Sequence, residues 1–298
     1  MTDTITNNFL KKVSNKPILL VGPTASGKSK FAMSLAIKLE RQIVNADSLQ
    51  VYNNWRILTA RPTSEDEAII QHHLYGHKAP DEEYSVGHWL RELSGILNTN
   101  KNLIIVGGTG LYFTALTEGL VNIPKISNKV KTMGKKKLND MGVASLLKDL
   151  DKETIESIDT KNPMRVIRAW EVFQETGKSL KRWHRDTEPA ILPLSECHPL
   201  VINPGKADLD KKIRRRFEKM IKIGALDEAR RNMVGWNENS LASKAIGASE
   251  LIAHLKGELS INQAIENASI STRQYAKRQK TWIKTRMTDW DDITDLTL

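Results

Sequence analysis

Eight residues near the amino terminus, Gly22-Pro23-Thr24-Ala25-Ser26-Gly27-Lys28-Ser29, match the phosphate-loop pattern G-x-x-x-x-G-K-[ST]. Gly22 and Gly27 permit a tight turn, so that successive backbone N–H groups and a helix start face an anion. Lys28 adds a mobile point charge, and the Ser29 hydroxyl suits phosphate-bound Mg²⁺. Any diphosphate or triphosphate would fit such a loop. Two further clusters follow apolar runs. "NADSLQVY" offers Asp47 as a general base, an outer Mg²⁺ ligand or a plain turn cap. "VGGTGLYF" sets Thr109 among Gly107, Gly108 and Gly110, a pattern that serves a structural turn equally well. His72, His73, His77 and His88 lack the spacing of a metal cluster, so satisfied polar roles are expected of them.

The elements that must position these residues are legible in the hydrophobic pattern. Short apolar runs at Pro17–Gly22, Gln42–Asp47, Asn102–Gly108 and Pro199–Asn203 read as buried parallel strands. Helical periodicity separates them over Lys28–Glu40 and Val86–Leu97. This alternation predicts an α/β fold: a phosphate-loop-type parallel sheet flanked by helices. All three clusters then sit at the carboxyl ends of strands, where open α/β sheets bind ligands. The alternation stops after Gly119. Residues 128–198 read as a charged helical insertion, and 199–298 as a return to the core followed by a basic helical region. Two long helices are expected there, over Asp208–Met233 and Ser260–Met287. Residues 1–127 form the first part of the core.

Composition narrows the partner. The 298 residues carry 45 Lys+Arg against 35 Asp+Glu, a net charge of +10, which favours a polyanion. The basic residues recur on successive helical segments, at Lys131 and Lys135–Lys137, Arg165 and Arg168, Arg214–Arg216, and Arg273–Lys284. Trp170 and Trp183 stand among them as possible base-stacking groups. Tyr275 and Trp282 lie on the apolar stripe of their helix and are read as core. The single cysteine, Cys197, excludes an internal disulfide and is assigned no role. No apolar run is long enough for a membrane span, and a cytoplasmic monomer is expected.

Ten stretches, in order, resemble the bacterial tRNA dimethylallyltransferase (tRNA isopentenyltransferase) family: "GPTASGKS", "NADSLQVY", "TARPT", "HHLYGH", "YSVGHWL", "IIVGGTGLY", "NPMRVIRAWEV", "RRRFEKMI", "KAIGASEL" and "TRQYAKRQKTW". The resemblance covers most of the chain. It implies transfer of a dimethylallyl group from dimethylallyl diphosphate to N6 of the adenosine immediately 3′ of the anticodon, in tRNAs that read codons beginning with U. It also implies Mg²⁺ beside the diphosphate and a helical insertion that grips the anticodon stem.

Residue by residue, the resemblance gives Asp47 the role of base and Thr24–Ser29 that of diphosphate cradle, with Gly22 and Pro23 leading into it. Arg216 stabilises the leaving group, and the run Arg214-Arg215-Arg216 leaves its register to the fold. tRNA contacts fall on Asp47, Ser48, Leu49, Gln50, Thr109, Lys131 and the segment Met164, Arg165, Val166, Ile167 and Arg168; Arg273 and Lys277 add basic contacts. Four positions depart from the family pattern: Leu58 replaces a glycine, Lys131 an arginine, Met164 a glutamine and Ala248 an aromatic residue. The phosphate loop taken alone also suits a small-molecule kinase. A prenyltransferase acting on free adenine nucleotides, and a nonenzymatic tRNA-binding protein with a vestigial loop, are further readings.

Overall fold

A computed structural model describes residues 2–296. Six strands form one parallel sheet: β1 (Ile18–Val21), β2 (Gln42–Asn45), β3 (His72–His73), β4 (Leu103–Gly107), β5 (His198–Val201) and β6 (Asp291–Asp292). Their order is β3-β2-β4-β1-β5-β6. The four apolar runs supply the inner strands. Every residue of β1 and β4 is buried, as a sheet covered on both faces requires. The edge strands β3 and β6 were not foreseen, because two residues paired along one side need no apolar pattern.

Helices cover the sheet through their apolar stripes. The helix Lys28–Leu39 lays Phe31, Ala32, Leu35 and Ala36 against Ile18, Leu20, Ile43, Ile104 and Val106. The helix Val86–Thr99 opens on a reciprocal cap between Ser85 and His88 and buries Trp89, Leu90, Leu93 and Leu97. The Trp89 indole donates to the Asn45 carbonyl at 2.7 Å.

The chain separates into two compact units, one running to Thr117 and resuming at Ile191, the other spanning Glu118–Ala190. The helical unit thus begins before the expected residue 128 and ends before 198. The linking segments explain the difference. Ser127 N–H and hydroxyl both donate to Glu175, and Asn122 donates to Glu188, so residues ahead of the first inserted helix belong to the insertion. Past it, Leu192 N–H donates to the Leu116 carbonyl at 3.1 Å, joining exit and return within the sheet-bearing unit.

Within the helical unit, Asn128–Met141, Val143–Leu147, Lys152–Ser157, Pro163–Thr176 and Leu180–Arg185 are helices. They pack around Leu146, Leu150, Val166, Ile167, Ala169 and Trp170.

After β5 come helices Lys206–Lys222, Ala225–Met233, Ala248–Leu255 and Ile261–Arg286. The single helix expected over 208–233 is two, because Gly224 adopts φ 107°, a left-handed conformation that regular helix excludes. The last helix matches its expected span and starts at a Ser260–Gln263 capping box. Among the described residues, no helix is long and apolar enough to cross a membrane.

Candidate active site

The sheet order makes β2, β4 and β1 neighbours, so their carboxyl-end loops lie side by side. Asn45 pairs with Val106, and Val21 with Gly107. Backbone bonds carry this register past the strand ends: Gly22 N–H donates to Gly107, Ala46 N–H to Val106, and Thr109 N–H to Ala46. The approach is close enough that a Cβ on Gly107 would sit 2.0 Å from the Ala46 carbonyl oxygen. Gly27 adopts φ 92° at the start of the following helix, and Ala25 holds φ 63°, an uncommon strain for a residue with a side chain. The phosphate loop is therefore a formed turn.

Asp47 is fixed by its neighbours. The buried Asn45 side chain accepts from Asp47 N–H at 2.8 Å and donates to the Asp47 carbonyl at 2.9 Å and the Leu74 carbonyl at 3.0 Å. Asp47 Oδ1 accepts from Leu49 N–H at 3.0 Å. Sequence reading missed Asn45, although it stands two residues before Asp47 and directly after the apolar pair Ile43-Val44. A polar residue in a run of that kind is the available signal.

The Asp47 carboxylate lines a cavity of about 50 Å³ together with Thr24, Arg216 and Tyr275, walled by apolar groups that include Leu49, Leu58, Ile213 and Phe217. The fold separates the three consecutive arginines. Arg214 pairs with Glu218 at 3.0 Å and Glu266 at 2.7 Å. Arg215 is exposed, while Arg216 is half-buried and lines the cavity. One turn of helix presents them on different faces, and only Arg216 shares a face with Ile213, Phe217 and Met220.

Lys28 completes the charged set. Its ammonium donates to the Pro23 carbonyl at 3.3 Å. Burial pushes it down to about 8; the Asp47 charge opposes that shift and the Arg216 charge adds to it. Burial also lowers Arg216, again opposed by Asp47. Two partly desolvated cations thus face one carboxylate.

Gln279 was not foreseen. From the long carboxyl-terminal helix its amide oxygen accepts from Thr24 N–H at 2.8 Å, and its amide nitrogen donates to the Gly108 carbonyl at 2.8 Å. One buried side chain ties the phosphate loop to the glycine turn after β4. The Thr24 amide is consequently occupied, and the anion-facing amides of the loop begin after it. Tyr275, expected in the core, instead lines the cavity one turn away. Burial and the Asp47 charge raise its hydroxyl well above the ordinary value, and it is hydrogen-bonded to Thr109.

The remaining expected site residues are distributed as follows. Ser29 is exposed and lines a separate cavity of about 320 Å³ with Gln50, Arg61 and Tyr75. The Gln50 amide donates inward to the Thr59 and Ala60 carbonyls, so its side chain holds a turn. Ser48 N–H donates to Thr109 Oγ1 at 3.0 Å. Met164, Arg165 and Arg168 are exposed, but Val166 and Ile167 are buried in the core of the helical unit. Helical periodicity turns two of every four residues inward there, which puts the Val166 and Ile167 side chains in the packing of that unit.

Arg273 pairs with Glu266 at 3.2 Å, and Lys277 is exposed. Trp170 is buried and donates to Asp149, and Trp183 donates to Thr176 beneath the Lys178 ammonium, so neither ring is an open stacking platform. His72, His77 and His88 engage Ile70, Glu92 and Ser85. Among the described residues, no group of three or more His, Cys, Asp or Glu could hold a metal.

Similarity to characterised proteins agrees with this geometry. Residues 50–286 match the family model described as IPP transferase. The chain is 48% identical over 280 residues to a protein of Cereibacter sphaeroides named tRNA dimethylallyltransferase, covering 94% of this chain and 89% of that one. It is 49% identical over 283 residues to a protein of the same name from Dinoroseobacter shibae, covering 94% and 95%. The crystal structure of a full-length tRNA isopentenylpyrophosphate transferase from Bacillus halodurans superposes with a TM-score of 0.65 at 29% identity, over 95% of this chain and 91% of that one. A eukaryotic dimethylallyltransferase acting on tRNA gives a TM-score of 0.79 at 25% identity, over 95% and 75%. The chain belongs to the IPP transferase family.

Proposed function

We propose that this protein transfers a dimethylallyl group from dimethylallyl diphosphate to N6 of the adenosine 3′-adjacent to the anticodon in tRNAs reading codons that begin with U. The observation that carries this reading is that Asp47 and Arg216 line one cavity with Thr24 of the phosphate loop, and that the loop's Lys28 is close enough to feel both charges. Two cations and one carboxylate match a reaction in which an anionic group leaves while a proton is removed.

The chemistry follows from the charges. Adenine N6 attacks C1 of the donor, the C1–N6 bond forms, and the C1–O bond to the diphosphate breaks. The exocyclic amine is a weak nucleophile and must lose a proton as it bonds. Asp47, held by Asn45 and Leu49, accepts that proton. The diphosphate takes up the electron pair of the broken bond, and its growing charge meets Lys28, Arg216 and the amides of the phosphate loop. The Thr24 hydroxyl lies at the same cavity to orient the diphosphate.

The exposed Ser29 offers a hard hydroxyl oxygen at the helix start. It fits a diphosphate-borne Mg²⁺, which binds few protein ligands and would supply charge neutralisation. The target base must leave its stack to reach Asp47, which an anticodon loop allows at a few kcal/mol. The exposed Arg165, Arg168 and Lys277 support tRNA as the acceptor.

Incubating the protein with Mg²⁺, labelled dimethylallyl diphosphate and unmodified tRNA should move label into the tRNA. Asp47→Asn should keep the Leu49 bond and tRNA affinity while turnover falls roughly 10²–10⁴-fold. Transfer of an ATP γ-phosphate to a small alcohol with no prenylated tRNA would refute the reading.

A further inference from the structure

The apolar lining of the cavity carries more information than the reaction requires. Beside Thr24, Asp47 and Arg216 the cavity is walled by Leu58, Phe217 and Met220, so an allylic diphosphate anchored by its charged groups has these side chains to receive its hydrocarbon. Leu58 is 3% exposed and belongs to a close-packed cluster with Trp55, Phe217, Ala248 and Leu251. A Cβ built on Gly247 would lie 2.5 Å from the Phe217 ring and 3.0 Å from Leu58 Cδ1, so the layer behind Leu58 has no room to yield.

The backbone that presents Leu58 is held unusually firmly. Glu228, 4% exposed, accepts from the N–H groups of Arg56 at 2.6 Å, Ile57 at 2.9 Å and Leu58 at 2.9 Å. Gln50 donates to the carbonyls of Thr59 at 2.8 Å and Ala60 at 3.1 Å on the other side of the turn. A buried carboxylate is costly unless its lone pairs are satisfied, and here three backbone donors satisfy them. That clamp fixes the position of one side chain in the cavity wall.

We infer that Leu58, held in place by Glu228, sets the length limit on the allylic donor: the wall admits the five-carbon chain and rejects longer prenyl diphosphates. This rests on the donor assignment proposed above and adds the element that selects among donors. A rigid apolar wall discriminates roughly 10–200-fold per methylene, because an extra carbon either displaces packed atoms or stays in water. Glu228 acts as a positioning residue, through the turn and not through contact with substrate.

The test measures binding of dimethylallyl and geranyl thiolodiphosphates, which do not react, to the full-length protein without tRNA. The wild type should prefer the five-carbon compound. Leu58→Ala should improve the geranyl-to-dimethylallyl affinity ratio at least about tenfold. Leu58→Phe should weaken the five-carbon compound while inorganic diphosphate binding stays unchanged. Glu228→Gln places an amide N–H against the backbone donors, and should shift the ratio in the same direction as Leu58→Ala. An unchanged ratio in Leu58→Ala overturns the inference, whatever the stability of Glu228→Gln. If all variants, wild type included, bind neither compound yet bind ATP, the donor assignment itself fails.

Discussion

At the scale of single residues, the phosphate loop and the adjoining cavity set a few charges against burial. Lys28 is the sharpest case. Burial pushes its ammonium down to about 8 by disfavouring the charged form, and only that form attracts a diphosphate. Below about 8 the charge is present, and as pH rises through that value it is lost. The KM for dimethylallyl diphosphate should therefore climb between pH 7 and 9, by up to tenfold per unit above the midpoint. Lys28→Arg, which stays charged throughout, should flatten that rise. A pH-independent KM in the wild type would mean that Lys28 does not meet the donor. Leu58 shows the opposite kind of residue. It departs from the family pattern in a stretch with no visible chemistry, and the structure places it in the cavity wall. Met164 and Lys131 depart too, and both lie in the helical unit; nothing in the structure explains the change at either position.

At the scale of elements, the decisive contacts join segments distant in sequence. Gln279 bridges Thr24 and Gly108 from a helix that begins at Ile261, and Glu228 clamps a turn 170 residues earlier. Neither contact leaves a periodic trace, because a hydrogen bond across the fold needs one residue and no pattern. Gln279→Leu removes both bonds at similar volume, freeing a part-buried Thr24 N–H and stranding the buried Gly108 carbonyl, the latter at about 1–3 kcal/mol. The expected result is a lower melting temperature together with a roughly tenfold higher donor KM, since the phosphate loop loses its outer tie. A stability loss with donor KM unchanged would restrict Gln279 to folding.

Secondary structure itself was readable where one pattern dominated. The four inner strands announce themselves as apolar runs, and the 26-residue helix Ile261–Arg286 shows its stripe and its Ser260 cap. The break at Gly224 and the edge strands β3 and β6 were not readable, because a positive φ and a two-residue pairing are settled by neighbours.

At the scale of the whole molecule, the excess of positive charge is what a polyanionic acceptor demands. tRNA affinity should fall linearly with log salt, with a slope set by the number of phosphates contacted. Replacing both Arg165 and Arg168 with alanine should lessen the magnitude of that slope by roughly two, while donor affinity in the absence of tRNA stays constant. Filter binding of tRNA between low and moderate salt reads this directly. A slope unaltered by the double replacement would move the tRNA contact away from the exposed face of the Pro163–Thr176 helix.

The amino-acid sequence by itself determined the phosphate loop, its place between a strand and a helix, the candidate base at Asp47 and the polyanion-favouring charge. Those features are local or compositional: a loop motif is short, strand burial is a run of like residues, and net charge is a sum. The tertiary structure put Arg216, the arginine the resemblance names, at the cavity with Asp47 and turned Arg214 towards Glu218 and Glu266; it alone decided that Asn45 and Gln279 hold the site, that the Val166 and Ile167 side chains pack, and that Leu58 is a wall. Each of those depends on which face of an element turns towards a neighbour far along the chain. That orientation is fixed only when the hydrophobic stripes and buried hydrogen bonds of all the elements are satisfied together.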